Sequence, residues 1–172
     1  MTAASVGLLA VLGVVVAVVG ACTSPSTLDR AATESVVRDA ADQAIAPRVV
    51  QASCPGPLPA GEGRSFRCTA RVAEVGDVRL AVTQVGGKGR LQVRPLDAVL
   101  ADAAVARQLR AELRRRFGRA FQVTCGDHPW RIWQPGDTFP CRARDRDGRR
   151  SVDVTVEDAA GTLSFRVLRP GA

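Results

Sequence analysis

Val50-Gln51-Ala52-Ser53-Cys54, followed by Gly63-Arg64-Ser65-Phe66-Arg67-Cys68-Thr69-Ala70, is answered later in the chain by Phe121-Gln122-Val123-Thr124-Cys125 and Gly136-Asp137-Thr138-Phe139-Pro140-Cys141-Arg142-Ala143. Both segments place a Phe two residues before the second Cys and a Gly three residues before that Phe. Both continue in alternation, with Val78, Leu80 and Val82 in one and Val152, Val154 and Val156 in the other. Both then turn at a glycine, Gly89 or Gly161. Each finishes on a last alternating run, Leu91 and Val93 or Leu163, Phe165 and Val167. Period-two alternation marks a strand with one buried face, because successive side chains point to opposite sides of a sheet. Four such runs in each half predict a small antiparallel four-stranded sheet, twice.

A helical stretch precedes each sheet. Leu28-Asp29 opens a run to Ile45 that places Val36, Val37, Ala40, Ala44 and Ile45 toward one side. Pro47 stops it, having no N–H to continue the ladder. Asp97 can cap a second run to Phe117, with Val105, Leu109, Leu113 and Phe117 at four-residue steps. Gly118 ends that run, where a left-handed residue is easiest. A helix laid over one sheet face buries both apolar surfaces. The predicted fold class is therefore α+β: two tandem repeats, each an N-terminal helix packed on a small antiparallel four-stranded sheet. They cover 28–95 and 96–170, with Pro95 at the junction.

The cysteines divide into one plus two plus two. Four cysteines allow three connectivities. The repeat favours the local one, Cys54 with Cys68 and Cys125 with Cys141, since a cross-pairing would need both copies to be abnormal in the same way. The alternative of a four-thiolate zinc site lacks the short CxxC spacing. Disulfides suit an oxidising exterior and small cores poor in aromatic residues.

Cys22 stands apart, after an uncharged run from Val6 to Val19 rich in Val, Leu, Ala and Gly. That run has the length of a signal-peptide hydrophobic region and is short for a membrane span of about 20 residues. Val19-Gly20-Ala21-Cys22 resembles the lipobox of bacterial lipoproteins. The resemblance implies cleavage after a 1–21 signal peptide and a diacylglyceryl anchor on Cys22, with 22–27 as a tether. The competing reading is an uncleaved anchor helix with Cys22 an idle thiol. Either way the rest of the chain is expected on the outer face of the cell membrane. That address argues against nucleic acid as a partner.

The net charge of +7 is carried almost wholly by arginine, with Lys88 the only lysine. A basic exterior protein can meet anionic lipid, wall polymer or an acidic envelope protein. Scattered arginines also simply solvate a surface.

The order of helix, V-x-C-P, G-x-x-F-x-C-x-A, V-x-V-T and glycine turn resembles domain-of-unknown-function family 4333, found in exported proteins of high-GC Gram-positive bacteria. Cys54-Pro55, Gly63, Phe66, Cys68, Ala70 and Val82-Thr83 carry it in the first half. Cys125, Gly136, Phe139, Cys141, Ala143 and Val154-Thr155 carry it in the second, where Gly126 replaces the proline. The resemblance implies fold and address, and no activity. In outline the tandem helix-plus-sheet plan also resembles the beta-lactamase inhibitory proteins, which grip an enzyme with a concave sheet surface.

No catalytic constellation is read from the chain, and no cofactor or metal is expected. His128 is the only histidine, and no Ser sits on a nucleophile-elbow sequence. Gly86-Gly87-Lys88-Gly89 lies between strand runs and reads as a hairpin turn. Two features rise above background as candidate binding sites. One is Trp130, Arg131 and Trp133, holding both tryptophans of the protein in the loop between Cys125 and Cys141. Trp and Arg dominate binding hot spots, so at least one indole is expected to be exposed. The other is Arg114, Arg115 and Arg116, with Arg107, Arg110 and Arg119, on the second helix. Cations there also complement the helix dipole. The sequence favours a non-enzymatic envelope lipoprotein, a binding or accessory module, over an anchored inhibitor of an extracytoplasmic enzyme.

Overall fold

The structure, a computed structural model, describes residues 27–86 and 89–168. The 1–21 signal segment, Cys22, the tether up to Ser26 and the centre of the Gly86–Gly89 turn lie outside the described residues.

The first unit opens with α1 (Arg30–Ala44), capped by the Asp29 carboxylate, which accepts the Ala32 N–H at 2.7 Å. Its buried face is Thr33, Val37 and Ala41. Val36 points outward and is half exposed, against the sequence expectation. The reason is helical pitch: positions four apart line one stripe, and Val36 falls beside that stripe. The helix lies on an antiparallel sheet of β1 (Val49–Ser53), β2 (Ser65–Val72), β3 (Gly76–Val85) and β4 (Arg90–Pro95), in the order β1-β2-β3-β4. Val78, Leu80 and Val82 of β3 are fully buried beneath it.

The second unit follows with β5 (Ala98–Leu100), α2 (Asp102–Phe117), β6 (Gln122–Thr124), β7 (Arg131–Trp133), β8 (Thr138–Asp145), β9 (Gly148–Val156) and β10 (Leu163–Val167). Strands β6, β8, β9 and β10 form a second four-stranded antiparallel sheet in that order. Val105, Leu109 and Leu113 of α2 pack on Val152, Val154 and Val156 of β9. Gly118 ends α2 in the left-handed conformation, at φ 68°, and donates its N–H to Arg114. Phe117 is exposed rather than core.

The two sheets share their pairing in detail. Cys68 lies opposite Leu80 and Phe66 opposite Val82; Cys141 lies opposite Val152 and Phe139 opposite Val154. Gly63 donates its N–H to Gln84 and Gly136 to Val156. The Ser65 and Thr83 hydroxyls meet at 2.9 Å, as do those of Thr138 and Thr155. Each unit holds one disulfide, Cys54–Cys68 and Cys125–Cys141, with all four cysteines buried in their own core. These bridges belong to an oxidising, extracytoplasmic setting. Among the described residues no helix is long and apolar enough to cross a membrane.

Asp97 does not cap α2, as the sequence suggested. Ala101 occupies the cap position without a side-chain bond. Asp97 is instead buried against Arg79, accepting from its backbone N–H at 2.9 Å and from its guanidinium. Burial alone would raise the Asp97 carboxyl, but the Arg79 hydrogen bonds and charge outweigh it and hold it below the usual carboxylate range. The cap is displaced because residues 98–100 leave as strand β5, which pairs antiparallel with β7.

Candidate functional site

The loop closed by Cys125 and Cys141 is not an open insert. Its centre is β7, and the β5–β7 ribbon lies between the two cores. Strand alternation explains how. Val99 and Ile132 stand opposite each other and pack on the first core. Ala98 and Trp133, one position along, stand opposite each other and pack on the second. A ribbon only three residues wide thus gives one face to each unit.

Neither indole is exposed, contrary to the expectation from sequence; both are half-buried. Trp133 stacks on Phe139, with ring centroids 4.2 Å apart and planes 19° from parallel. Its Nε1 is buried and finds no acceptor among the described residues. The Arg131 guanidinium lies 5.9 Å from the centre of the Trp133 ring. Arg131 also pairs at 3.2 Å with Asp102, a carboxylate buried at the start of α2, which accepts the His128 N–H at 2.9 Å as well. The bond joins a main-chain N–H of the loop to the first turn of the helix, so His128 serves the loop through its backbone. Arg131 and Trp133 are therefore brought together as fabric between the units, whereas Trp130 packs in neither core.

This arrangement accounts for Gly126, the departure from the Cys-Pro pattern of the first half. Gly126 has φ 130°, and a Cβ there would run into the Asp102 carboxylate and the Arg131 guanidinium. Gly118 is a useful contrast, with φ 68° and open space around its Cα. Gly118→Ala should cost only the left-handed backbone penalty of roughly 1–2 kcal/mol. Gly126→Ala meets a more strained backbone angle and also displaces the half-buried Arg131–Asp102 pair, so it should lose at least about 1 kcal/mol more. Urea melts of the two variants check this; equal losses would mean that Asp102 yields freely.

The helix cluster lies on the surface. Arg114, Arg115 and Arg116 are all exposed at the end of α2. Arg115 pairs with Glu112, and Arg116 lies 5.7 Å from the centre of the Phe117 ring. Arg119 turns away from solvent to pair with Asp145 and Asp147.

A second arginine surface went unread in the sequence. Arg142 and Arg144 of β8 and Arg149 of β9 project from the sheet face opposite α2, with Arg144 directly across from Arg149. The signal was present as Arg142-x-Arg144 in a strand, where period two puts both side chains on one side. Among the described residues no three His, Cys, Asp or Glu side chains gather as a metal site would require.

No family model, no curated protein and no solved structure matches this chain. The resemblance of its cysteine motifs to a family rests on those motif residues alone.

Proposed function

We propose that this chain is a non-enzymatic lipoprotein of the cell envelope, a binding or accessory module held on the outer face of the membrane by a diacylglyceryl group on Cys22. The observation that carries the reading is the disulfide buried in each core, which fits the exterior address that the apolar run and Cys22 announce. We further propose that the two units are copies of one duplicated module. Matching strand order, cysteine register and threonine-hydroxyl contacts support that origin.

The rival reading is an inhibitor that grips an enzyme with a sheet surface. Such a grip draws on aromatic and apolar anchors in the centre of the contact. The open faces here carry arginine, serine and threonine instead, with Arg67 and Thr69 on β2 and Arg142 and Ser151 on β8 and β9. That surface suits an anionic partner better than an enzyme cleft.

Cys22→Ser tests the anchor. The variant should appear in the medium or accumulate as unprocessed precursor, while the parent fractionates with membranes and gains the mass of a diacylglyceryl group. A variant that is cut and stays with membranes like the parent would refute lipidation at this cysteine.

A further inference from the structure

We infer that the open face of the second sheet, continued over its β6 edge onto α2, is a docking track for a linear phosphate-bearing polymer of the cell envelope. The inference deepens the binding reading above and needs the exterior address, but it does not depend on lipidation.

The face is built from strand register. Arg142 stands between Thr124 of β6 and Ser151 of β9, and Arg144 between Gln122 and Arg149. Side chains directly opposite have Cβ atoms about 5 Å apart. Those two apart along a strand are separated by about 7 Å. Three arginine side chains thus leave one sheet face at about the spacing of neighbouring phosphates, with Arg142 flanked by two hydroxyls and Arg144 by the Gln122 amide. Guanidinium offers paired donors to two phosphate oxygens, a geometry that lysine cannot supply.

The arrangement is costly without an anion. Like charges directly opposite on a sheet destabilise it, and Arg144 faces Arg149. The nearby acids are already engaged. Asp145 is buried on the other side of the sheet with Arg119 and Arg150, Asp147 meets Arg119 and Arg146, and Asp153 meets Arg166. Burial alone would raise the Asp145 carboxyl, but the Asp147 N–H and the two guanidiniums hold it below the usual carboxylate range. Among the described residues Arg142, Arg144 and Arg149 join no ion pair. On the first sheet Arg71 pairs with Asp77 and Arg79 with Asp97, and Arg67 and Arg94, which join no ion pair among the described residues, stand on either side of Ala81 instead of facing each other.

Shape selects a polymer over a membrane. A hollow of about 700 Å³ lies over the open face, lined by Gln122, Thr124, Arg142, Arg144, Arg149 and Ser151. A second, of about 440 Å³, lies on the helix side of β6 and is lined by Thr124, Arg107 and Arg110, with Asp102, Asp127 and His128. Asp102 there is committed to Arg131, which leaves Asp127 as the exposed acid. The two hollows share Thr124 on a three-residue edge strand. A flat lipid surface touches one side of this edge; a flexible polyanion can pass over it and meet both.

The test uses the full chain in neutral detergent micelles, with long-chain inorganic polyphosphate as probe and pyrophosphate as the short control. Polyphosphate should bind, pyrophosphate far more weakly. The triple variant R142Q/R144Q/R149Q should lose on the order of 10- to 100-fold, and the slope of log affinity against log salt should flatten by about 2, three contacts at about 0.7 each. Arg144→Glu places opposite charges across the strands, so it should fold at least as well as the parent yet lose binding. R67Q/R94Q, on the first sheet, should change little. Parent-like binding by the triple variant or by Arg144→Glu overturns the proposal. So does an equal loss in R67Q/R94Q, which would mean net charge alone. Binding to phosphatidylglycerol in mixed micelles through the same arginines, with none to polyphosphate, would make the face a membrane contact and overturn it too. These outcomes leave the Cys22 test untouched, so the track and the anchor fail separately.

Discussion

Cys125→Ser/Cys141→Ser should melt far below the parent, with a loss of about 2–5 kcal/mol. The bridge spans 16 residues, and opening a loop of that size returns roughly 3 kcal/mol of chain entropy to the unfolded state. The folded state loses as well. Cys141 is fully buried opposite Val152, so a serine hydroxyl there enters an apolar core without an evident partner. For two units that unfold together, each kcal/mol moves Tm by roughly 2–4 °C. Cys54→Ser/Cys68→Ser should behave alike, since that bridge spans 14 residues and Cys54 is equally buried. Calorimetry reads the loss, and mass spectrometry of an unreduced parent digest reads the pairing. A bridge between the units, or a variant melting with the parent, would overturn the account of how these small cores are held.

The eight strands of the two sheets were legible because each is long enough, or close enough to a cysteine, to show alternation. Val78, Leu80 and Val82 and their counterparts Val152, Val154 and Val156 are buried as the pattern required. The ribbon was not legible. Three residues cannot establish a period, and β5 finds β7 across the whole of α2. Missing it had two consequences. Asp97 is a good helix cap by residue type, but its carboxylate is better satisfied by three donors of Arg79 once the next residues are drawn into a strand. The tryptophans looked like a binding loop because composition cannot tell an aromatic that meets a partner from one that meets the other half of its own chain. The same physics serves both, burial of a large flat surface at low entropic cost. The arginine face was missed for a different reason. Its residues lie on two strands, Arg142 and Arg144 on β8 and Arg149 on β9, and only the register sets Arg144 against Arg149.

Trp133→Ala should be strongly destabilising, at the low end of the roughly 3–5 kcal/mol that truncating a core aromatic costs. Trp133 contributes the stack on Phe139 and the cross-strand contact with Ala98, itself almost wholly buried. Its loss should loosen β7 and with it Ile132, which packs on the first core. The effect should therefore appear in cooperativity as well as in stability. The parent, joined through the ribbon, should unfold in one calorimetric transition, and the variant in two, with the first unit the less disturbed. Trp133→Phe separates the causes. It keeps a ring against Phe139 and removes an indole N–H that is buried without an acceptor, so it should retain most of the stability. Trp130→Ala should stay within about 1 kcal/mol of the parent, as Trp130 belongs to neither apolar cluster. If Trp133→Ala melted with the parent in a single transition, the ribbon would not be the link between the units. Trp133 would then have to be explained by a partner outside the chain, as its sequence context first suggested.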